Sequence, residues 1–152
     1  MILLPLTVEA VGHVLFNLRD VDRRELEATC WRFDSELLAR ATCTARLGFI
    51  AAADDLTPVA AVAAGECWPS VWQVGMFATP RWPEVGIPAT HAVRRLFHGK
   101  LPALGAKRLQ AFSIADHHEA HRWMLVLGAR CEATLSGWGK GGEDFKVFVW
   151  RR

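Results

Sequence analysis

Tyrosine is missing altogether from the 152 residues, although seven tryptophans and eight phenylalanines are present. Every mechanism that needs a phenol is thereby excluded. No two cysteines form a Cys-x-x-Cys pair: Cys30, Cys43, Cys67 and Cys131 stand far apart, the pattern of reduced thiols in a cytosolic chain rather than of a disulfide scaffold. No apolar stretch approaches the roughly twenty residues that cross a bilayer. The apolar start at 1–6 is broken by Pro5 and lacks the basic flank of a signal peptide. An excess of one charge is lacking too. Eighteen Lys and Arg against sixteen Asp and Glu leave a formal net charge of +2, which argues against a strongly basic nucleic-acid binder. With 51% apolar and 22% charged residues, the chain is expected to be one compact domain spanning 1–152 rather than disordered.

What is present reads in order along the chain. Ile2 to Leu4 form a short strand, and Thr7 is an N-cap for a helix whose apolar face is Val8, Val11, Leu15 and Leu18. Asp22 with Glu25, and Asp34 ahead of Leu37, Leu38 and Ala41, open two more helices. The period then shortens. Segments 47–53 and 58–67 flank Asp54-Asp55-Leu56-Thr57 as a β-hairpin, and 71–78 adds a third antiparallel strand. After a proline-rich loop at 80–83, Pro88 suits the first residue of a helix with Val93, Leu96, Phe97 and Leu101 on one face, ended by Gly105. A strand at 108–114 follows. Asp116 with Glu119 caps a helix carrying Ala120, Trp123, Met124 and Leu127 before Gly128, and strands 130–136 and 145–150 are joined by the glycine-rich 137–142.

This order predicts an α/β sandwich, with a mixed, mainly antiparallel sheet of about seven strands and helices on both faces. The expected core is Leu15, Leu18, Val62, Val74, Phe77, Val93, Leu96, Leu109, Trp123, Leu127 and Val147.

Three segments carry a resemblance. Leu4-Pro5-Leu6-Thr7 is similar to a first-strand Arg-Pro-Ala-Thr, with leucine in place of the arginine. The run from His117 to Ala129 resembles the pattern Asn-x-x-Ala-x-x-x-Tyr-x-x-x-Gly-Phe: Ala120 and Gly128 match, whereas His117, Met124 and Ala129 depart. Pro83-Glu84-Val85-Gly86-Ile87-Pro88 occupies the place of Arg/Gln-x-x-Gly-x-Gly/Ala, and only Gly86 survives. These are motifs of the GNAT superfamily, the Gcn5-related N-acetyltransferases, which the chain resembles over almost its whole length. A narrower likeness runs through Glu119-Ala120-His121-Arg122-Trp123, Leu127-Gly128-Ala129-Arg130, Gly142-Glu143-Asp144-Phe145 and Trp150. It points to GNAT-like proteins encoded by tailed bacteriophages, some of them virion-associated.

The resemblance implies acetyl-CoA as cofactor, with Gly86, Ile87 and Ala89 near its pyrophosphate, and at the same time implies that the site is degenerate. The leading cation has become Pro83, Pro88 has no N–H to donate, and Glu84 adds a negative charge where an anion belongs. Met124 stands where the family's tyrosine acid reprotonates the leaving thiolate, leaving Cys131 or water as substitutes. The strand at 71–78 has no carboxylate to act as base. The expected function is therefore a structural or protein-binding module in the bacterial host cytoplasm or the virion. Phage structural proteins are the partners this implies, with oligomeric state left open and an active N-acetyltransferase as the alternative.

Other features have sharper and blander readings. His117, His118 and His121 invite a zinc site but lack a third partner at the right spacing, so a polar helix start is preferred and no metal is expected. The segment 137–142 is expected to be a mobile hairpin loop rather than a phosphate cradle. Arg94, Arg95, Arg151 and Arg152 are expected to be solvated rather than a nucleic-acid patch. Trp68, Trp82 and Trp138, each beside proline or glycine, are the candidates for a protein interface.

Overall fold

A computed structural model of the chain describes residues 1–151. Strand β1 (Ile2–Leu4) leads into α1 (Val8–Phe16), α2 (Asp20–Ala28) and α3 (Ser35–Cys43). The hairpin β2 (Leu47–Ala52) and β3 (Pro58–Trp68) continues into β4 (Val71–Ala78). Helix α4 (Trp82–Arg95) runs through a π-helical turn at Leu96–Lys100 into the short α5 (Leu101–Ala103). Then come β5 (Arg108–Ile114), α6 (His118–Val126), β6 (Arg130–Leu135) and β7 (Phe145–Arg151).

Local chemistry explains several boundaries. The Thr7 hydroxyl accepts from the Ala10 N–H and the Asp34 carboxylate from the Leu37 N–H, so both caps form as read. Gly128, with φ of 88°, ends α6 in the left-handed conformation that glycine adopts without strain. Two other caps are corrected. Asp22 lies inside α2, and Asp116 and Glu119 do not cap α6: they pair with Arg24 and Arg19.

The seven strands form one sheet in the order β1-β2-β3-β4-β5-β7-β6. Every pairing is antiparallel except β4 with β5. Both faces are covered. Ile50 and Ala52 pack with Val11, Val14 and Leu15 of α1, while their neighbours Ala51 and Ala53 pack with Val85 and Ala89 of α4. The two-residue period sorts adjacent alanines into opposite layers. Close approach also needs Gly48, where a Cβ would collide with Leu6 and the Val62 carbonyl. The expected core residues are buried except Phe77 and Trp123, which are half-buried because they face the opening described next.

Candidate functional site

The sheet parts at its one parallel junction. β4 and β5 pair over only three rungs, Val71–Arg108, Trp72–Leu109 and Gln73–Gln110. Beyond them the strands diverge, leaving a cleft of about 1050 Å³ with Met76, Phe97, Phe112, Trp123, Met124 and Trp150 among its walls. Met124 is buried at the α6 wall, and its thioether has no proton to transfer. The structure does not bring Cys131 to this cleft: its thiol is exposed on β6, near the Ala133 carbonyl.

The largest difference from the sequence reading lies at the start of α4. The helix begins at Trp82, not at Pro88, so the segment expected to be a loop is its first turns. Two causes act together. Pro83 suits the N-terminal turn, where no N–H is required. Trp82 is 7% exposed and packs edge-on against Trp123, ring centroids 5.6 Å apart, which draws the segment onto the sheet. Trp82 is thus a core residue and not an interface residue. Gly86, Ile87 and Ala89 all lie within the helix, Ile87 pointing to solvent and Ala89 fully buried.

This geometry does not fit a coenzyme pyrophosphate. Helix N-termini bind anions through free N–H groups. Here Pro83 has none, and those of Trp82 and Glu84 already donate to the carbonyls of Thr79 and Arg81. The nearby cation is committed as well: Arg81 donates to Glu84 at 2.8 and 2.7 Å and to Asp55 at 3.1 Å. Those contacts hold the Glu84 carboxyl below the usual carboxylate range and push the guanidinium still higher, while the Asp55 carboxyl is held low first by hydrogen bonds from Thr57 and then by Arg81. The ion pairs are exposed and add little stability, but they neutralise the charge an anion would seek.

At the cleft's rim, Trp68 and Trp138 are both more than half exposed. Trp138 stacks on Phe112 at 5.7 Å. Its loop, expected to be mobile, is fastened to the end of α2 by Lys140, whose backbone N–H reaches the Ala28 carbonyl and whose Nζ reaches the Cys30 carbonyl. Trp31, fully exposed between α2 and α3, was not singled out from the sequence. Its signal would have been its place in the polar turn before the Asp34 cap. Arg94 donates to the Val126 carbonyl and Arg151 pairs with Glu132, while Arg152 lies outside the described residues.

His118 and His121 meet edge to face, ring centroids 6.1 Å apart, but His117 and His121 bond different partners. His117 Nδ1 meets Glu25 of α2 at 3.3 Å, whereas His121 Nε2 meets the Ile114 carbonyl at 3.1 Å. Among the described residues, no group of three or more His, Cys, Asp or Glu side chains is arranged to hold a metal ion. Glu25, read from the sequence only as a helix cap, belongs to the cleft. Ninety-two residues separate it from His117, so no local pattern could have paired them.

Burial, with a smaller contribution from the Lys146 charge, holds the His121 imidazole below its ordinary pKa of 6.5. A folded-state pKa below the unfolded one means that stability present above pH 6.5 is lost as pH falls towards the folded value. The unfolding midpoint should therefore drop as pH falls below about 6.5. The drop should shrink in His121→Gln. An unchanged profile in that variant, measured by thermal melts, would contradict this.

No protein-family model matches the sequence, and no curated protein matches it. Solved structures do. An acetyltransferase of the GNAT family from Bacillus anthracis is 13% identical, with a TM-score of 0.74 over 98% of this chain and 93% of that one. Spermidine N-acetyltransferase from Vibrio cholerae, solved as a variant, is 14% identical, with a TM-score of 0.72 over 99% and 95%. The ribosomal-protein-S18-alanine N-acetyltransferase from Escherichia coli is 14% identical, with a TM-score of 0.69 over 99% and 92%. The protein has the fold of the GNAT acetyltransferases.

Proposed function

We propose that this chain is a GNAT-fold protein in which acetyl transfer by the family's usual route has been lost, and that it serves as a rigid protein-binding module. The observation that carries this reading is the start of α4 at Trp82, which turns the expected anion loop into helix and uses its N–H groups internally. Met124 in the place of the proton donor supports it. The sequence likeness to GNAT-like proteins of tailed bacteriophages extends the proposal to a virion or virion-associated component, made in the host cytoplasm and contacting phage structural proteins. Trp68 and Trp138, exposed beside the cleft, are the side chains offered for that contact. No helix of the described residues is long and apolar enough to cross a membrane.

Isothermal titration with acetyl-CoA tests the reading: no detectable heat up to millimolar cofactor is expected, and sub-millimolar affinity would overturn it. One observation favours a second reading, an acetyl-CoA-dependent N-acetyltransferase: the cleft between β4 and β5 remains open. Release of coenzyme A thiol in the presence of a panel of primary amines would establish that reading instead.

A further inference from the structure

A second cavity, of about 330 Å³, is used by neither reading. It lies at the start of β5, beside Lys107 and Leu109, whereas the cleft opens only after Gln110. Phe97, Leu127 and Trp150 line both and so form the partition between them. That partition is held in place: Phe97 meets Trp150 edge-on, ring centroids 5.0 Å apart, and the Trp150 indole N–H donates to the Leu127 carbonyl at 3.0 Å. On the cavity's helical side, Leu96–Lys100 is a π-helical turn in which the Leu101 N–H reaches back to the Leu96 carbonyl. Such turns are rare and concentrate at functional sites.

The lining defines a ligand. Its polar side chains are His98, Lys107 and Arg151, and no carboxylate is among them. From residue 85 to residue 115 the chain carries Arg94, Arg95, Lys100, Lys107 and Arg108 but no Asp or Glu. Glu132, on β6, pairs with both Arg108 and Arg151 and so answers Arg151 from outside the lining. Lys107 is exposed and has no ion-pair partner among the described residues, while its backbone N–H is pinned to the Ser70 carbonyl at 2.9 Å. One cation is therefore left for a ligand, at a fixed point of the rim, which suits a single negative charge. The other walls, Leu101, Pro102, Ala106 and Leu109 with the partition, suit an apolar body. The volume stands near the lower end of the roughly 300–1,000 Å³ of small-molecule pockets, so that body is one ring or a short branched chain.

We propose that this cavity binds a small amphipathic monocarboxylate, an aromatic or branched aliphatic acid, with its carboxylate on the Lys107 ammonium and its hydrocarbon against Phe97, Pro102 and Trp150. The site uses nothing of the opening between β4 and β5, so it stands under either reading of that cleft.

Titration of the ¹⁵N-labelled protein with phenylacetate, 4-methylpentanoate and the uncharged phenylacetamide, followed by amide NMR shifts, tests it. At least one of the two acids should bind at millimolar concentration, with shifts centred on Leu101, Ala106, Lys107 and Gly128. Phenylacetamide should bind about tenfold more weakly than phenylacetate, because a charge-assisted hydrogen bond is the stronger kind. Lys107→Gln should weaken the bound acid by a similar factor and leave phenylacetamide unchanged, and Lys107→Arg should restore the acid. Lys107 is exposed, so these variants keep the fold, and the comparison of acid with amide uses the unaltered protein. No shift with either acid, shifts centred instead on Met76 and Phe112 of the cleft, equal binding of acid and amide, or an acid indifferent to Lys107→Gln would each overturn the proposal.

Discussion

Replacing Trp72 with alanine will lower the unfolding free energy by about 3–5 kcal/mol, the range for deleting a large buried aromatic. Trp72 is fully buried in the main core cluster and pairs with Leu109 where β4 and β5 still touch, immediately before they diverge. The Arg46 guanidinium lies 5.5 Å from its ring. Domains of this size have about 5–15 kcal/mol in hand, so the loss would remove about a fifth of the total or more and loosen the junction that shapes the cleft. Among the described residues the indole Nε1 has no hydrogen-bond partner, so the side chain stabilises by packing and not by its polar atom. Trp72→Phe, which keeps a ring and removes the unpaired N–H, should therefore cost less than half as much. Urea unfolding of the two variants decides: a loss below about 1 kcal/mol for alanine, or a larger loss for phenylalanine, would show that the junction does not depend on this side chain.

The second large effect is a gain. On the proposed reading, in which the parent protein gives no detectable heat with coenzyme A, the triple change Pro83→Arg, Glu84→Gly and Pro88→Gly should create binding at sub-millimolar concentration. Pro83→Arg restores a leading cation. Glu84→Gly removes a like charge and releases Arg81 from its closest partner. Pro88→Gly supplies an N–H and lets the first turn of α4 open into a loop ahead of a helix N-terminus. The burial of Trp82 against Trp123 opposes that opening, so the variant should melt at a lower temperature than the parent. Acetyl transfer should stay weak, since Met124 carries no proton. Adding Met124→Tyr should then raise turnover by roughly a hundred- to ten-thousand-fold, the usual worth of a general acid. A folded triple variant that gives no heat with coenzyme A would show that this segment is not what excludes the cofactor.

Much of the architecture is written locally in the chain. The caps at Thr7 and Asp34, the glycine after α6 and the switch from helical to strand period near residue 47 each depend on a few neighbouring residues, and each appears in the structure. The seven-stranded mixed sheet follows from the order of those elements. Sequence alone also determined that no phenol is present anywhere in the chain.

Tertiary structure alone decided the rest. Trp82 reads as a loop residue until Trp123, forty-one positions later, packs against it and pulls the segment into helix. Glu25 reads as a cap until α2 comes to rest beside β5, where its carboxylate meets Ser113, Ile114 and His117. The cleft exists because β4 and β5 part after three rungs. Propensities and caps act over one or two turns of chain, whereas these contacts join residues brought together only when whole elements pack, and burial then overrides the local preference.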